Sequence, residues 1–174
     1  MSEEFSFENS EDPDDLFREA FGDEYDEKRD SSKSEGEKLV RVVGVFEPKD
    51  VVGSVQSGAY VVVLRDSKDR SVLIWIGEFE ARAIYLAIQG ASADRPLTHD
   101  LLNNIINRLD AKVDRILIDD LWNGTYYAKI SIIKNDKVME IDSRPSDAIA
   151  LSLRANAPIY MAESVIERAA VQEE

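Results

Sequence analysis

Apolar and polar positions fall into two regimes along the chain, and the change comes at Leu39. From there, Leu39 to Phe46, Ala59 to Leu64 and Ser71 to Ile76 are rich in β-branched and other apolar residues, the composition of strands that pack on a core. Asp66-Ser67-Lys68-Asp69 suits a hairpin turn between the last two, and Gly77 closes the third run. Helical spacing then takes over from Glu78 to Gln89, with Ile84, Ala87 and Ile88 directed inward and Gly90 as the C-terminal cap. A second helix starts from Thr98 as N-cap and carries Leu101, Leu102, Ile105, Ile106 and Leu109 at helical spacing. Lys112 to Trp122 and Thr125 to Lys134 are joined by Asn123-Gly124, the strongest short hairpin signal, and Lys137 to Asp142 returns after Asn135-Asp136. Pro145 to Ala155, opening on Pro-Ser-Asp, and Glu163 to Ala170 are helical. Strands and helices thus come in mixed order. This predicts a compact α+β domain over residues 39–171, a largely antiparallel or mixed sheet of hairpins packed with three to four helices.

Two-residue turns fix a register. Asp120 should face Tyr127, Ile118 face Lys129 and Leu117 face Ile130; in the next hairpin Ile130 should face Ile141, Ile132 face Met139 and Lys129 face Asp142. One face then collects Leu117, Leu121, Tyr126, Ala128, Ile130, Ile132, Met139 and Ile141 as a core side. The other collects Asp120, Tyr127, Lys129, Glu140 and Asp142, with Arg144 added if the strand runs through Ser143. Asp119 is out of place, because its parity sets a carboxylate on the apolar side unless a bulge re-aims it.

Residues 1–38 form a different regime, with 15 acidic against 5 basic residues in a chain of net charge −14. Such a segment buries too little apolar surface to offset its ordering entropy, so it reads as a disordered acidic tail. Pro13 to Phe21 departs from this, since Leu16, Phe17, Ala20 and Phe21 share one helical face behind a Pro-Asp-Asp start. It is either a chance cluster in a solubilising tail or a short helix that docks on a protein partner or on the domain. The remaining chain, with 20 acidic and 16 basic residues, lacks the broad basic footprint of a tight nucleic-acid binder.

Composition narrows the chemistry further. With no cysteine and one histidine, thiolate sites, disulfides, paired-histidine catalysis and multi-histidine zinc sites within one subunit are excluded. No glycine-rich phosphate loop of the dinucleotide or P-loop type occurs. Neither a signal peptide nor a membrane-length apolar run is evident, so a cytoplasmic protein without membrane contact is expected. Strands such as Val61-Val62-Val63 and Leu73-Ile74-Trp75, apolar on both faces, predict a homodimer.

Two places are suited to reaction chemistry. On the polar sheet face, carboxylates interleaved with Lys129 and Arg144 suit a divalent metal, a positioned water and a phosphate, or else form ordinary pairs, Lys129 with Asp142 and Arg144 with Asp120. Elsewhere, Arg95-Pro96-Leu97-Thr98-His99-Asp100 and Arg144-Pro145-Ser146-Asp147 introduce helices in the same way, each with an arginine before a helix start that attracts anions. Asp100 and Asp147 read equally as capping carboxylates, and His99 as a local hydrogen-bonding residue or a general base.

Four stretches carry a family resemblance: Ile74-Trp75-Ile76-Gly77 with Glu80-Ala81, Arg95 to Leu102, Asn123 to Ala128, and Ser143 to Leu151. In this order they resemble the bifunctional nuclease family, from about Leu39 to the last helix. The resemblance implies a compact, homodimeric α+β domain whose plant members degrade DNA and RNA, and it sets Glu80, Arg95, Thr98, His99, Asp100, Arg144, Ser146 and Asp147 in signature positions. Two readings follow. In the first the chain is a phosphodiesterase acting transiently on DNA or RNA. Glu80, His99, Asp100, Asp120 and Asp147 are then its catalytic candidates, and Arg95, Thr98, Lys129, Arg144 and Ser146 its substrate-binding ones. A divalent ion such as Mg or Mn would be held by Asp120, Asp142 and Asp147, with Glu80 as a further ligand candidate. In the second the domain is a non-catalytic dimeric interaction module with an acidic regulatory tail.

Overall fold

The computed structural model describes residues 36–47, 59–91 and 93–171; the acidic segment, with the helix expected over 13–21, lies outside them. The elements are β1 (Glu37–Phe46), β2 (Ala59–Asp66), β3 (Ser71–Gly77), α1 (Glu78–Ile88), α2 (Thr98–Arg108), β4 (Lys112–Trp122), β5 (Thr125–Lys134), β6 (Lys137–Ser143), α3 (Pro145–Ala155), β7 (Ile159–Ala162), α4 (Glu163–Ala169) and β8 (Ala170–Val171). The strands form one mixed sheet in the order β6-β5-β4-β7-β1-β2-β3-β8, and the fold is α+β.

Both tight turns follow from their residues. Asn123, Gly124, Asn135 and Asp136 all have positive φ, as a two-residue hairpin of the primed type requires, and Asn, Asp and Gly tolerate it best. The β5–β6 register is as expected, with Lys129 opposite Asp142 and Ile130 opposite Ile141. The β4–β5 register holds near the turn, where Asp120 faces Tyr127, and then slips by one residue at a bulge between Ile118 and Asp120. Lys129 therefore faces Leu117, and Ile130 faces Ile116. The physical cause is the carboxylate at Asp119. Instead of entering the apolar layer it is half-buried and forms an ion pair with Lys129 at 2.8 Å, while Ile116 and Ile118, rather than Leu117, become fully buried.

Beyond the hairpins, β7 joins the two halves of the sheet, pairing parallel with β4 and antiparallel with β1. The whole sheet curls. The Tyr126 hydroxyl on β5 donates to the Leu73 carbonyl on β3 at 3.3 Å, although four strands lie between them in the sheet order. Helix α3 is enclosed, with Pro145, Ser146, Ala148, Ile149, Ala150, Leu151 and Ser152 all buried, and α1 and α2 pack against it. The core gathers Val62, Leu64, Ile84, Ile116, Ile118, Ile149, Leu151 and Met161.

Two apolar surfaces lie in solvent. Helix α2 buries only Ile106, and Leu101 is 52% and Leu109 57% exposed, with Leu102 and Ile105 also in solvent. Met139 and Ile141, assigned to the core side of the hairpin, are exposed on β6, an edge strand that extends beyond the cover of α3. Val61 and Val62 are the reverse case: β2 is an interior strand, and the chain buries both of them itself.

Candidate active site

Three helices start at one place. Gly77 ends β3 in extended backbone and launches α1 with Glu80 in its first turn, and Leu97 launches α2 with His99 in its first turn. Pro145, whose ring fixes φ for a helix start and lacks an N–H to satisfy, makes Arg144 the N-cap of α3 and sets Asp147 in the first turn. The Arg144 carbonyl accepts the first two α3 bonds, from the Asp147 and Ala148 N–H groups at 3.1 Å each.

The side chains close on one another. His99 Nε2 lies 3.2 Å from Asp147 Oδ1, linking first turns 48 residues apart in sequence. Arg144 Nε donates to Asp147 Oδ2 at 2.8 Å and Nη2 to Oδ1 at 3.1 Å, while Nη1 donates to Glu80 Oε1 at 3.0 Å. His99 is largely covered, but the Arg144 side chain is 66% exposed, so the guanidinium forms the mouth of the site. Burial pushes the Asp147 carboxyl up, yet the bonds from Arg144 and His99 outweigh it and hold Asp147 below the ordinary carboxylate range. The Arg144 guanidinium is pushed up by Asp147 first and Glu80 second. Since an ionised Asp147 only accepts, the proton between it and the imidazole sits on His99 Nε2, and in the neutral ring Nδ1 carries the lone pair.

Two cavities meet at the Arg144–Glu80 bridge, both residues lining each. The larger, about 830 Å³, is walled by Phe79, Arg82, Thr98, His99 and Asp147. The smaller, about 330 Å³, runs between β3 and the β4–β5 turn past Trp75, Thr125, Tyr126 and Ser146.

Other expected site residues go elsewhere. Arg95 is exposed in the loop before α2, lines neither cavity and makes no hydrogen bond or ion pair among the described residues. Asp100 is structural: it accepts from the Leu97 N–H at 2.9 Å and from Arg154, whose guanidinium also reaches the Ala83 and Ala150 carbonyls. Asp120 pairs with Arg168 of α4 at 3.0 Å, and Lys129 with Asp119, so the expected alternatives of Arg144 with Asp120 and Lys129 with Asp142 are both replaced. Asp120, Asp142 and Asp147 do not assemble, and no group of three His, Asp or Glu side chains among the described residues could hold a metal ion. At the mouth itself, both carboxylates are already engaged by the Arg144 cation, which occupies the place a metal would take. This donor set does not fit a divalent ion.

Phe79 was not singled out from the sequence, and Trp75 figured there only within a signature stretch and an apolar strand, not as a site residue. The signal was present for Phe79, which lies off the Ala81–Ile84 face of α1.

A curled mixed sheet with three helix starts converging on a Glu, a His-Asp pair and an arginine defines an α+β domain with a polar, anion-suited site. The family model for the bifunctional nuclease domain matches residues 62–174, and the chain belongs to that family. An uncharacterised protein of Mycobacterium tuberculosis is 40% identical over 130 residues, covering 75% of this chain and 74% of that protein. Bifunctional nuclease 1 of Oryza sativa subsp. japonica is 23% identical over 106 residues, 59% of this chain and 32% of the rice protein. Bifunctional nuclease 2 of the same plant is 22% identical over 134 residues, 75% and 41% respectively. No helix among the described residues is long and apolar enough to cross a membrane.

Proposed function

We propose that the chain hydrolyses phosphodiester bonds of DNA or RNA at the Arg144 mouth, binding nucleic acid as a transient substrate. The observation that carries this is the chain of contacts from His99 through Asp147 to Arg144, a base, its orienting carboxylate and an anion receptor in one place. A substrate phosphate displaces Glu80 from Arg144 Nη1, a cheap exchange because the guanidinium is open to solvent. His99 Nδ1 takes a proton from water as the water oxygen bonds to phosphorus, and the imidazolium is stabilised by Asp147 at Nε2. The P–O bond to the leaving oxygen breaks, that oxygen takes a proton from solvent, the imidazolium returns its proton to water, and Arg144 meets the charge that builds on the phosphoryl oxygens. Thr98 and Ser146, at the walls of the two cavities, are placed to contact substrate on either side.

The test incubates the purified full chain with end-labelled single-stranded DNA and RNA, with and without chelator. Cleavage by the natural chain, and a loss of about 10²-fold or more in Arg144→Ala, is expected. No cleavage under any condition overturns the reading, and the chelator arm reports whether a metal is needed.

A second reading, a dimeric interaction module, is favoured by the exposed apolar side chains of α2 and, on the sheet edge, of β6. Exposed apolar surface of this kind is typical of a subunit interface, and we propose that two copies pair through the α2 face whether or not the site is catalytic. Sedimentation at micromolar concentration should give twice the chain mass, and Leu101→Glu with Ile105→Glu should give a folded monomer. A monomeric natural chain would count against the pairing.

A further inference from the structure

Two large aromatic side chains lie in solvent beside the Arg144 mouth, one on each cavity. Phe79 is 81% exposed on the wall of the larger, and Trp75 is 53% exposed on the wall of the smaller. Neither serves the core. Helical phase turns Phe79 away from the buried Ala81 and Ile84, and the pleat of β3 turns Trp75 away from the buried Val72 and Ile74. Leaving such a ring in water forgoes about 1.5–3 kcal/mol of burial, so the fold gains little from their size. Glu80 and Arg144 are shared by both cavities, so each ring lines a cavity that Arg144 also lines.

We propose that Trp75 and Phe79 are base-stacking platforms on either side of the Arg144 phosphate position, so that the site takes single-stranded rather than duplex nucleic acid. This rests on the nuclease reading and adds its substrate class. A single strand carries a phosphate between successive bases whose π faces are open, which matches a cation whose two adjoining cavities each carry a ring. In a duplex those faces are stacked on neighbouring pairs and cannot reach a side chain without unstacking. Stacking also resolves the charge problem. A domain with more acidic than basic residues gains little from general attraction to phosphate, and its affinity must come from contacts indifferent to charge. Because every base has a π face, such a site is tolerant of sequence and of sugar.

The test measures fluorescence anisotropy of labelled, hydrolysis-resistant phosphorothioate eight-mers with the full chain: oligothymidylate, an abasic strand with the same number of phosphates, and a duplex. Oligothymidylate should bind at least about ten-fold tighter than either of the others. Trp75→Ala and Phe79→Ala should each weaken it by about 5- to 150-fold and leave the abasic strand unaffected. Phe79→Tyr should keep the affinity and Phe79→Leu should not, with circular dichroism showing each variant folded. Trp122→Phe leaves Trp75 as the only indole, and its emission should be quenched by oligothymidylate but not by the abasic strand. Equal affinity for the abasic and base-bearing strands, or full affinity in Phe79→Leu, overturns the platforms while cleavage that depends on Arg144 leaves the nuclease reading standing. If no strand is bound or cut, the nuclease reading fails and the platforms fail with it.

Discussion

Replacing His99 with alanine is expected to lower the proposed phosphodiester cleavage by about 10²–10⁴-fold, the usual contribution of a positioned acid–base group, with the loss in kcat and little change in KM. The reason for so large an effect is the site's lack of a second imidazole: His99 is the one histidine in the chain. Asp147→Asn tests the same unit from the other side. The amide preserves shape but can donate as well as accept, so it no longer fixes the imidazole proton at Nε2, and the rate should fall although the ring stays in place. Arg144→Ala differs in kind, because it removes the anion receptor and should raise KM as well. Since Arg144 and His99 hold Asp147 below the ordinary carboxylate range, any loss of activity above about pH 5 belongs to another group. Single-turnover and steady-state rates from pH 5 to 9 for the natural chain and the three variants decide this. A His99→Ala enzyme with undiminished kcat removes histidine from the mechanism.

The largest effect on stability should come from Asp66 at the β2–β3 turn, 14 residues before Glu80. Only 4% of Asp66 is exposed, and its carboxylate accepts four bonds, from the Lys68 and Arg70 N–H groups at 2.9 and 3.0 Å and from Arg70 Nε and Nη2 at 2.8 and 2.6 Å. Arg70 in turn grips Glu163 at 2.9 Å, tying the turn to the start of α4. Asp66→Ala leaves two backbone donors unpaired and the guanidinium half-neutralised, a loss of about 3–5 kcal/mol and a fall in Tm of roughly 10 °C or more. Burial pushes Asp66 up, but Arg70 and the two backbone bonds hold it below its ordinary value, and Arg70 does the same for Glu163. Groups with lowered native pKa values give their full contribution above about pH 5 and lose it as pH falls below the ordinary carboxylate values near 4. Urea titrations should therefore show a wide gap between the natural chain and Asp66→Ala at pH 7 that narrows by pH 3. A gap that does not change with pH would mean that packing at the turn, not charge, is being lost.

How far the sequence carried these conclusions depended on whether a signal was local. Hairpin turns, the strand register near them and the helix starts at Pro145 and Gly77 all follow from residues adjacent in sequence, and all of them are found. The slip at Asp119 was foreshadowed by a carboxylate of the wrong parity, although its partner, Lys129, required the three-dimensional answer. Strand β7 was missed because four residues, Ile159 to Ala162, are too short to show alternation. The exposure of the α2 face was not legible, because periodicity identifies an apolar stripe without saying whether this chain covers it. At the site, matching Arg-Pro starts marked His99, Arg144 and Asp147 as candidates, and the helices bring these three together; Arg95 shares the motif but stays in its loop. Glu80 is brought in by the packing of α1 on α3, a contact no local pattern encodes.

The position of β7 bears on how the protein is made. The strand that joins β4 to β1 is supplied by residues 159–162, so during synthesis the two hairpin halves exist before the piece that unites them. Until it emerges from the ribosome, the inner edges of β1 and β4 present unpaired backbone groups and buried-type side chains such as Val40 and Ile116 to water. Joining of the halves therefore rests on contacts distant in sequence, and between the synthesis of β6, which ends at Ser143, and of β7, which starts at Ile159, both inner edges stand open. A chaperone that shields such edges would matter more to the yield of this protein than to that of one whose central strand is translated first.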